Sequence, residues 1–542
     1  MTGSNKAEYQ SDPVRRYVVK PVPAPLSKSG REKEFPKDLL ILLLGEAPDL
    51  SSALHAALTG NEYRVRQIVP GRQTRSLGKD RFEVDLSTLA SIEALHKLFS
   101  DSRETVGAVF NLMGLSAVTA ELWADHLDDA KKLFLLLKVF EKDLRKSARA
   151  GGGWLVNFTG LDGNFALGNG SSVPVGTAGT LGVTKTAGRE WPELRVKCID
   201  IDLETDPYML ISQVMEELTT DDPLMEVGLN REGRWRLDVA DVGDANQDLS
   251  KPELDSDSVI LVTGGAYGIT ADITKTLAEK YRPQLVLVGR SPMPEEEPDN
   301  IRELLFPGIL RQTLLQDLRA KDPKVTPVEV ERAVNRVLKD RQIRTNLAAM
   351  EDAGARVEYH SLDVKDGEAF GNLIDEVYAK WGRIDGVIHG AGVIRDKLIR
   401  DKSLEAFDSV FKTKVVPANI LEKKLRPEML KFVIFFSSVA GRFGNVGQAD
   451  YSAANEVLNK LADRLSHKWP DAHVVSINWG PWDSGMVSDV LRRFYASNDI
   501  QLIPPHVGIR FAVNEIQRGK LSAHEVVIGS SIKQISARGL GR

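Results

Sequence analysis

A single cysteine, Cys198, occurs in the 542 residues, which excludes an intramolecular disulfide and any metal cluster built on cysteine. It sits in the strand-like run Val196 to Ile201, where a thiol reads as a small core residue rather than a nucleophile. No apolar run reaches the roughly 20 residues needed to span a bilayer, and the first dozen residues are polar, unlike a secretory signal. The expected location is therefore the cytoplasm. With a net charge of −5 and no long basic tract, the chain also lacks a nucleic-acid footprint. No metal-ligand spacing stands out, which leaves small molecules or an acidic carrier as the expected partners.

What is present is enough sequence for two cores, since a single core stops growing at roughly 250 to 300 residues. Sliding the chain along itself shows a repeat. The segment Val106 to Leu115 lies 278 positions before Ile384 to Val393, and at the same offset Asp85 meets Asp363, Phe158 meets Phe436, and Cys198-Ile199-Asp200 meets Ser476-Ile477-Asn478. Short β-branched runs separated by amphipathic stretches, occurring twice, predict an α/β chain of two doubly wound Rossmann-like halves. The reading gives a degenerate half over 1–243, a polar linker broken by Pro252 over 244–258, and a second half over 259–542. The offset fails upstream of Asp85 because the second half carries an insert at about 291–346. Within it, Thr326-Pro327-Val328-Glu329 predicts a capping box with proline at the first helical position, opening a long helix that ends near Gly354. No chemistry is assigned to the insert.

In the second half, the buried run Val259 to Val262 precedes Thr263-Gly264-Gly265-Ala266-Tyr267-Gly268-Ile269-Thr270, and a helical pattern follows. Glycines between a strand and a helix let the backbone approach a pyrophosphate, whose charge the helix N-terminus favours. Gly264, Gly265, Tyr267, Gly268 and Ile269 are thus candidates for a dinucleotide site. The next strand ends Gly289-Arg290-Ser291, with a guanidinium where an NAD-specific protein places a carboxylate, which favours the 2′-phosphate of NADPH. Asp363 and Val364 are placed for the adenine edge, although an aspartate at a strand end also forms turns. The corresponding loop of the first half, Gly45-Glu46-Ala47-Pro48-Asp49, has one glycine and two carboxylates that would repel a pyrophosphate.

Phe435 to Gly441 reads as a strand and a loop carrying Ser438, and Tyr451 starts a helix thirteen residues later. A ketone that accepts hydride needs a proton at its oxygen, and a phenol supplies one if a nearby cation lowers its pKa from about 10. Four residues after Tyr451, where the generic short-chain dehydrogenase pattern has lysine, this chain has Asn455, while Lys414 lies 24 residues before Ser438. That exchange of lysine and asparagine makes the chain resemble the ketoreductase domains of type I polyketide synthases. Arg395-Asp396-Lys397, Phe443-Gly444-Asn445 and the long insert look most like iterative polyunsaturated fatty acid synthases and their enediyne relatives. At the 278-residue offset the four residues map onto Leu136, Gly160, Val173 and Thr177, a set without this chemistry.

The resemblance implies NADPH-dependent reduction of a β-ketoacyl thioester, carried by an acyl carrier protein and surrounded by other synthase domains. Tyr451 would protonate the ketone oxygen, Ser438 would hydrogen-bond it, Lys414 would tune Tyr451, and Asn455 would complete the relay. It also implies cofactor contacts at Gly390, Ala391, Gly392 and Pro481, and a substrate cleft at Asp396, Phe443, Trp482, Gly485 and Met486. Ketoreductases giving the D alcohol resemble one another in a Leu-Asp-Asp motif, of which Ile394-Arg395-Asp396 keeps the second aspartate, and L-producing ones carry tryptophan where this chain has Phe443. These residues lean toward the D product. Two alternatives stay open from sequence: a reductase of coenzyme A thioesters or small ketones, and a noncatalytic scaffold domain.

Overall fold

The computed structural model describes residues 14–26, 35–115, 126–168, 173–241, 252–484, 487, 489–497, 500–519, 523–530 and 532. Among them no helix is long and apolar enough to cross a membrane.

The five residues Val259–Thr263 are all buried, because helices cover both faces of a parallel sheet and a strand inside it must be apolar on both sides. This strand pairs in parallel with Gln284–Gly289 on one side and with Gly386–His389 on the other. Arg356–Ser361 extends the sheet beyond Gln284–Gly289, and Phe432–Ser438, His473–Trp479 and Glu525–Gly529 extend it the other way. Chain order therefore reverses at Val259–Thr263, which is the switch point at which doubly wound folds open a ligand crevice.

The first half repeats the plan. Leu40–Leu44 lies between Arg64–Pro70 and Val106–Gly114, followed by Trp154–Thr159 and Arg195–Ile201. Downstream of Asp85 the 278-residue offset is visible in the elements: the strand Arg195–Ile201 maps onto His473–Trp479, and the helices Leu89–Asp101 and Leu127–Ala148 map onto Gly367–Trp381 and Leu404–Lys424 to within three residues at either end.

The halves share one continuous sheet. Arg15–Pro23 pairs antiparallel with Glu525–Gly529 of the second half and with Gly233–Asp241 of the first, and the latter pairs through Glu226–Asn230 back to Arg195–Ile201. A buried ion pair, Arg16 to Glu515 at 2.5 Å, pins this bridging strand to the helix Pro505–Gln517. The insert folds as three helices, Asp299–Arg302, Pro307–Lys321 and Pro327–Asp352. The last begins with the expected capping box, Glu329 receiving the Thr326 backbone N–H at 2.7 Å.

Cys198 is fully buried on its strand, and burial pushes its thiol pKa up. It is a core residue without thiolate character.

Candidate active site

The glycine loop leaves the C-terminal end of Val259–Thr263 at the switch point. Gly264 has φ of +76°, and a side chain there would press on the backbone of Gly390 and Ala391 at about 3.2 Å. Gly268, at +65°, opens the helix Gly268–Tyr281 with nothing within 4 Å of a would-be Cβ. One glycine thus allows the loop to meet the neighbouring strand end, and the other leaves open space at a helix N-terminus, where an anion is favoured. Thr263 Oγ1 accepts the Ala391 N–H at 3.2 Å and contacts His389 Nδ1 at 2.7 Å. Burial drives the imidazole of His389 down to about 3, so it is neutral. These residues fit a dinucleotide: a cradle without side chains, a helix N-terminus, and an exposed guanidinium at Arg290, where the second strand ends. The carbonyl of Ser291 is held by the Tyr359 hydroxyl at 2.7 Å. Asp363 accepts the Lys365 N–H at 3.1 Å and so acts as a turn former, with Val364 buried beneath. The insert reaches this edge: Asn346 Nδ2 donates to the Ala266 carbonyl at 3.0 Å, and Lys339 lies over the Tyr267 ring at 5.5 Å.

Four side chains expected from sequence converge beside the loop. Ser438 ends its strand, caps the short helix Val439–Phe443 and accepts the Ala440 N–H at 3.2 Å. Tyr451 occupies the first turn of the helix Ala449–Lys468. Its pKa is raised, because burial outweighs the opposing hydrogen bonds of the Asn455 and Ser438 side chains and the Asp396 charge adds to the rise. Lys414 stands on the helix Leu404–Lys424 with its ammonium 5.6 Å from the Tyr451 ring centre. It donates to the Phe436 carbonyl at 2.6 Å, and burial lowers its pKa to about 7. A Cβ on Gly392 would touch its methylene stem at 3.1 Å, so the lysine lies between the cofactor loop and the tyrosine. Asn455 Nδ2 donates to the Tyr451 carbonyl at 2.9 Å, while its Oδ1 is buried with no partner among the described residues. An orphaned acceptor beside the tyrosine costs free energy unless a ligand or a water completes it.

On the substrate side, Asp396 accepts from Gln448 Nε2 with both oxygens at 3.0 Å. Burial raises its pKa, and its charge acts in the same direction on Tyr451 and on Tyr495 of the helix Asp489–Ser497. Phe443 is half-buried against the core, under Arg442. Pro481 accepts the Ile503 N–H at 2.8 Å. The Trp482 ring is buried, 4.9 Å from that of Trp479 and packed over Gly508. Gly485 and Met486 lie outside the described residues.

Sequence reading missed the support beneath the tyrosine. Lys402 and Asp450, both fully buried, form an ion pair at 2.7 Å, and Asp450 accepts the Tyr451 N–H at 2.9 Å. Its only sequence signal was an acid preceding the tyrosine. A second buried cluster joins the halves, with Lys185 and Glu226 of the first against Arg442 and Glu456 of the second.

Residues 258–484 match the KR domain family. Over 393 residues the chain is 32% identical to a polyunsaturated fatty acid synthase protein of Thraustochytrium sp., an alignment covering 69% of this chain and 13% of that protein. It is 27% identical to the polyketide synthase PksN of Bacillus subtilis over 58% of this chain and 5% of the relative. The chain thus spans a small fraction of the curated relatives it matches. Among solved structures, an N-terminal ketoreductase from the macrolactin assembly line superposes with a TM-score of 0.72 at 17% identity, covering 96% of this chain and 93% of that one. A ketoreductase domain from the bacillaene assembly line superposes at 0.64 and 21%, covering 97% and 99%. At these identities the superpositions establish the fold, two halves included.

Proposed function

We propose that this chain, which carries a ketoreductase domain of the kind found in polyketide and polyunsaturated fatty acid synthases, reduces a β-ketoacyl thioester to the β-hydroxyacyl thioester with NADPH. The observation that carries the reading is the convergence of Tyr451, Ser438, Lys414 and Asn455 beside a glycine loop at the switch point.

When bound, the reduced nicotinamide would supply a hydride to the carbonyl carbon. Gly264, Gly265, Tyr267, Gly268 and Ile269 would receive its pyrophosphate, with Gly390 to Gly392 and Pro481 along the same crevice. Arg290 and Ser291 would receive the 2′-phosphate, whose charge suits an exposed guanidinium. As the carbonyl gains an electron pair, Tyr451 gives its hydroxyl proton to the ketone oxygen and Ser438 donates a hydrogen bond to that oxygen. The Lys414 ammonium, 5.6 Å from the tyrosine ring centre, stabilises the phenolate left behind. Asn455 holds the first turn of the tyrosine helix through its bond to the Tyr451 carbonyl. The first half, with Leu136, Gly160, Val173 and Thr177 at the matching positions, supplies no second site of this type.

The lengths of the relatives support a substrate delivered on an acyl carrier protein and neighbours that are other synthase domains. A reductase of free coenzyme A thioesters remains the second reading. Absorbance at the nicotinamide band, followed with a β-ketoacyl surrogate, tests both. Carrier-bound substrate should be turned over faster than the coenzyme A thioester, and NADPH should be preferred to NADH. In Arg290→Ala that preference should collapse through a loss of about 1.5 to 3 kcal/mol in NADPH binding. Equal weakening of both cofactors would show that Arg290 does not read the phosphate.

A further inference from the structure

Glu190 closes the helix Ala178–Glu190 of the half that lacks the catalytic set. Its two carboxylate oxygens accept backbone N–H groups from two different segments of the other half: Oε2 takes Ile399 at 2.9 Å and Oε1 takes Gly447 at 3.0 Å. The first segment carries Asp396, and the second is the turn that leads into Tyr451. The segments are also tied to each other, Lys397 donating to the Gly447 carbonyl at 3.0 Å and Gln448 to Asp396. We propose that Glu190 is a positioning residue for the ketone site, clamping the Asp396 segment and the Gly447 turn at one separation and so setting which face of the ketone is presented for reduction. The inference rests on the reductase reading above.

Three observations support it. A carboxylate that accepts one N–H on each oxygen is satisfied only when both donors sit at fixed places, so it constrains a distance as a single hydrogen bond cannot. Glu190 is also drawn from water, which raises its pKa, while the two N–H groups favour the charged form. Loss of either donor would then leave part of a desolvated charge uncompensated. Finally, the grip is shared by neighbours on the same half: Lys138 Nζ donates to the carbonyls of Arg400 and Lys402 at 2.7 and 2.8 Å, and Arg189 Nε to that of Phe443 at 3.2 Å. The half without the tetrad therefore holds the backbone of the segments flanking Tyr451, without touching the reacting atoms.

The test is Glu190→Gln in the full chain, which keeps the shape and leaves a single acceptor oxygen for two donors. With a racemisation-resistant β-ketoacyl surrogate, the ratio of product enantiomers should fall at least fivefold and KM for the surrogate should rise several-fold. Direct titration should show NADPH binding within twofold of the parent, because the clamp does not touch the glycine loop. Glu190→Asp, which retains both oxygens, should recover part of the ratio; it also provides the readout should the glutamine variant fail to fold. Glu193→Gln, at an exposed pair with Arg145, should leave the ratio unchanged. A parent enzyme that reduces the surrogate, with the same enantiomer ratio and KM in both Glu190 variants, would overturn the clamp and spare the reductase reading. A parent enzyme that fails to reduce any β-ketoacyl thioester would overturn that reading and the clamp with it.

Discussion

In the proposed mechanism the physical state of Lys414 governs how Tyr451 works. Burial lowers its pKa to about 7, so in the free enzyme it changes charge near neutral pH. The charged form is the useful one, since an ammonium over the ring stabilises the phenolate and a neutral amine does not. The sign follows: kcat/KM, which reports the free enzyme, should fall as pH rises through about 7. In Lys414→Ala the rate should drop and this descending limb should vanish. A limb that persists at the same pH in the variant would belong to another group. Of the residues around it, the tetrad was readable because its identities and spacing follow a pattern. The Lys402 and Asp450 pair and the Glu190 clamp were not, because each joins positions distant in sequence through backbone atoms or burial, which leave no mark on local composition.

Among the helices, Ala178–Glu190 of the first half packs tightly on Ala449–Lys468 of the second. A Cβ on Gly182 would lie 2.4 Å from the backbone of Ser452 and Ala453, so the two axes can be this close only with glycine at that position. Gly182→Ala should force the helices apart, costing about 1 to 3 kcal/mol, and should lower kcat because Tyr451 precedes the contact by one residue. Gly60→Ala, at an exposed helix end with open space around it, should be neutral or slightly stabilising by comparison. Thermal unfolding and turnover of the two variants check this; equal melting temperatures would mean that the contact is not tight. The helix elements matched their sequence signals where caps were explicit, as at Thr326 and Glu329. The two shorter helices of the insert had no such caps and were not separately legible. The packing of the Trp482 ring over Gly508 likewise had no mark in sequence, because the two positions meet only in the fold.

For the molecule as a whole, the repeat at 278 residues exposed the duplicated sheet, because matched strands must be apolar at matched positions when both faces are covered. It gave no hint that the sheets are continuous. That continuity depends on Arg15–Pro23, whose antiparallel partners lie more than 200 and more than 500 residues away, and edge pairing of that range has no periodic signature in sequence. The shared sheet and the Gly182 contact tie the first half to the second, and with the proposed Glu190 clamp they fit a supporting role for the half without the tetrad. The central claim is that this tetrad, acting through the Tyr451 hydroxyl, carries all ketone reduction by the full chain. The most direct measurement is NADPH oxidation with a β-ketoacyl thioester by Tyr451→Phe, alongside NADPH titration of the same protein. The account predicts cofactor binding like that of the parent enzyme and turnover reduced by at least about 10²-fold, the scale of lost general-acid catalysis; turnover equal to the parent's would contradict it.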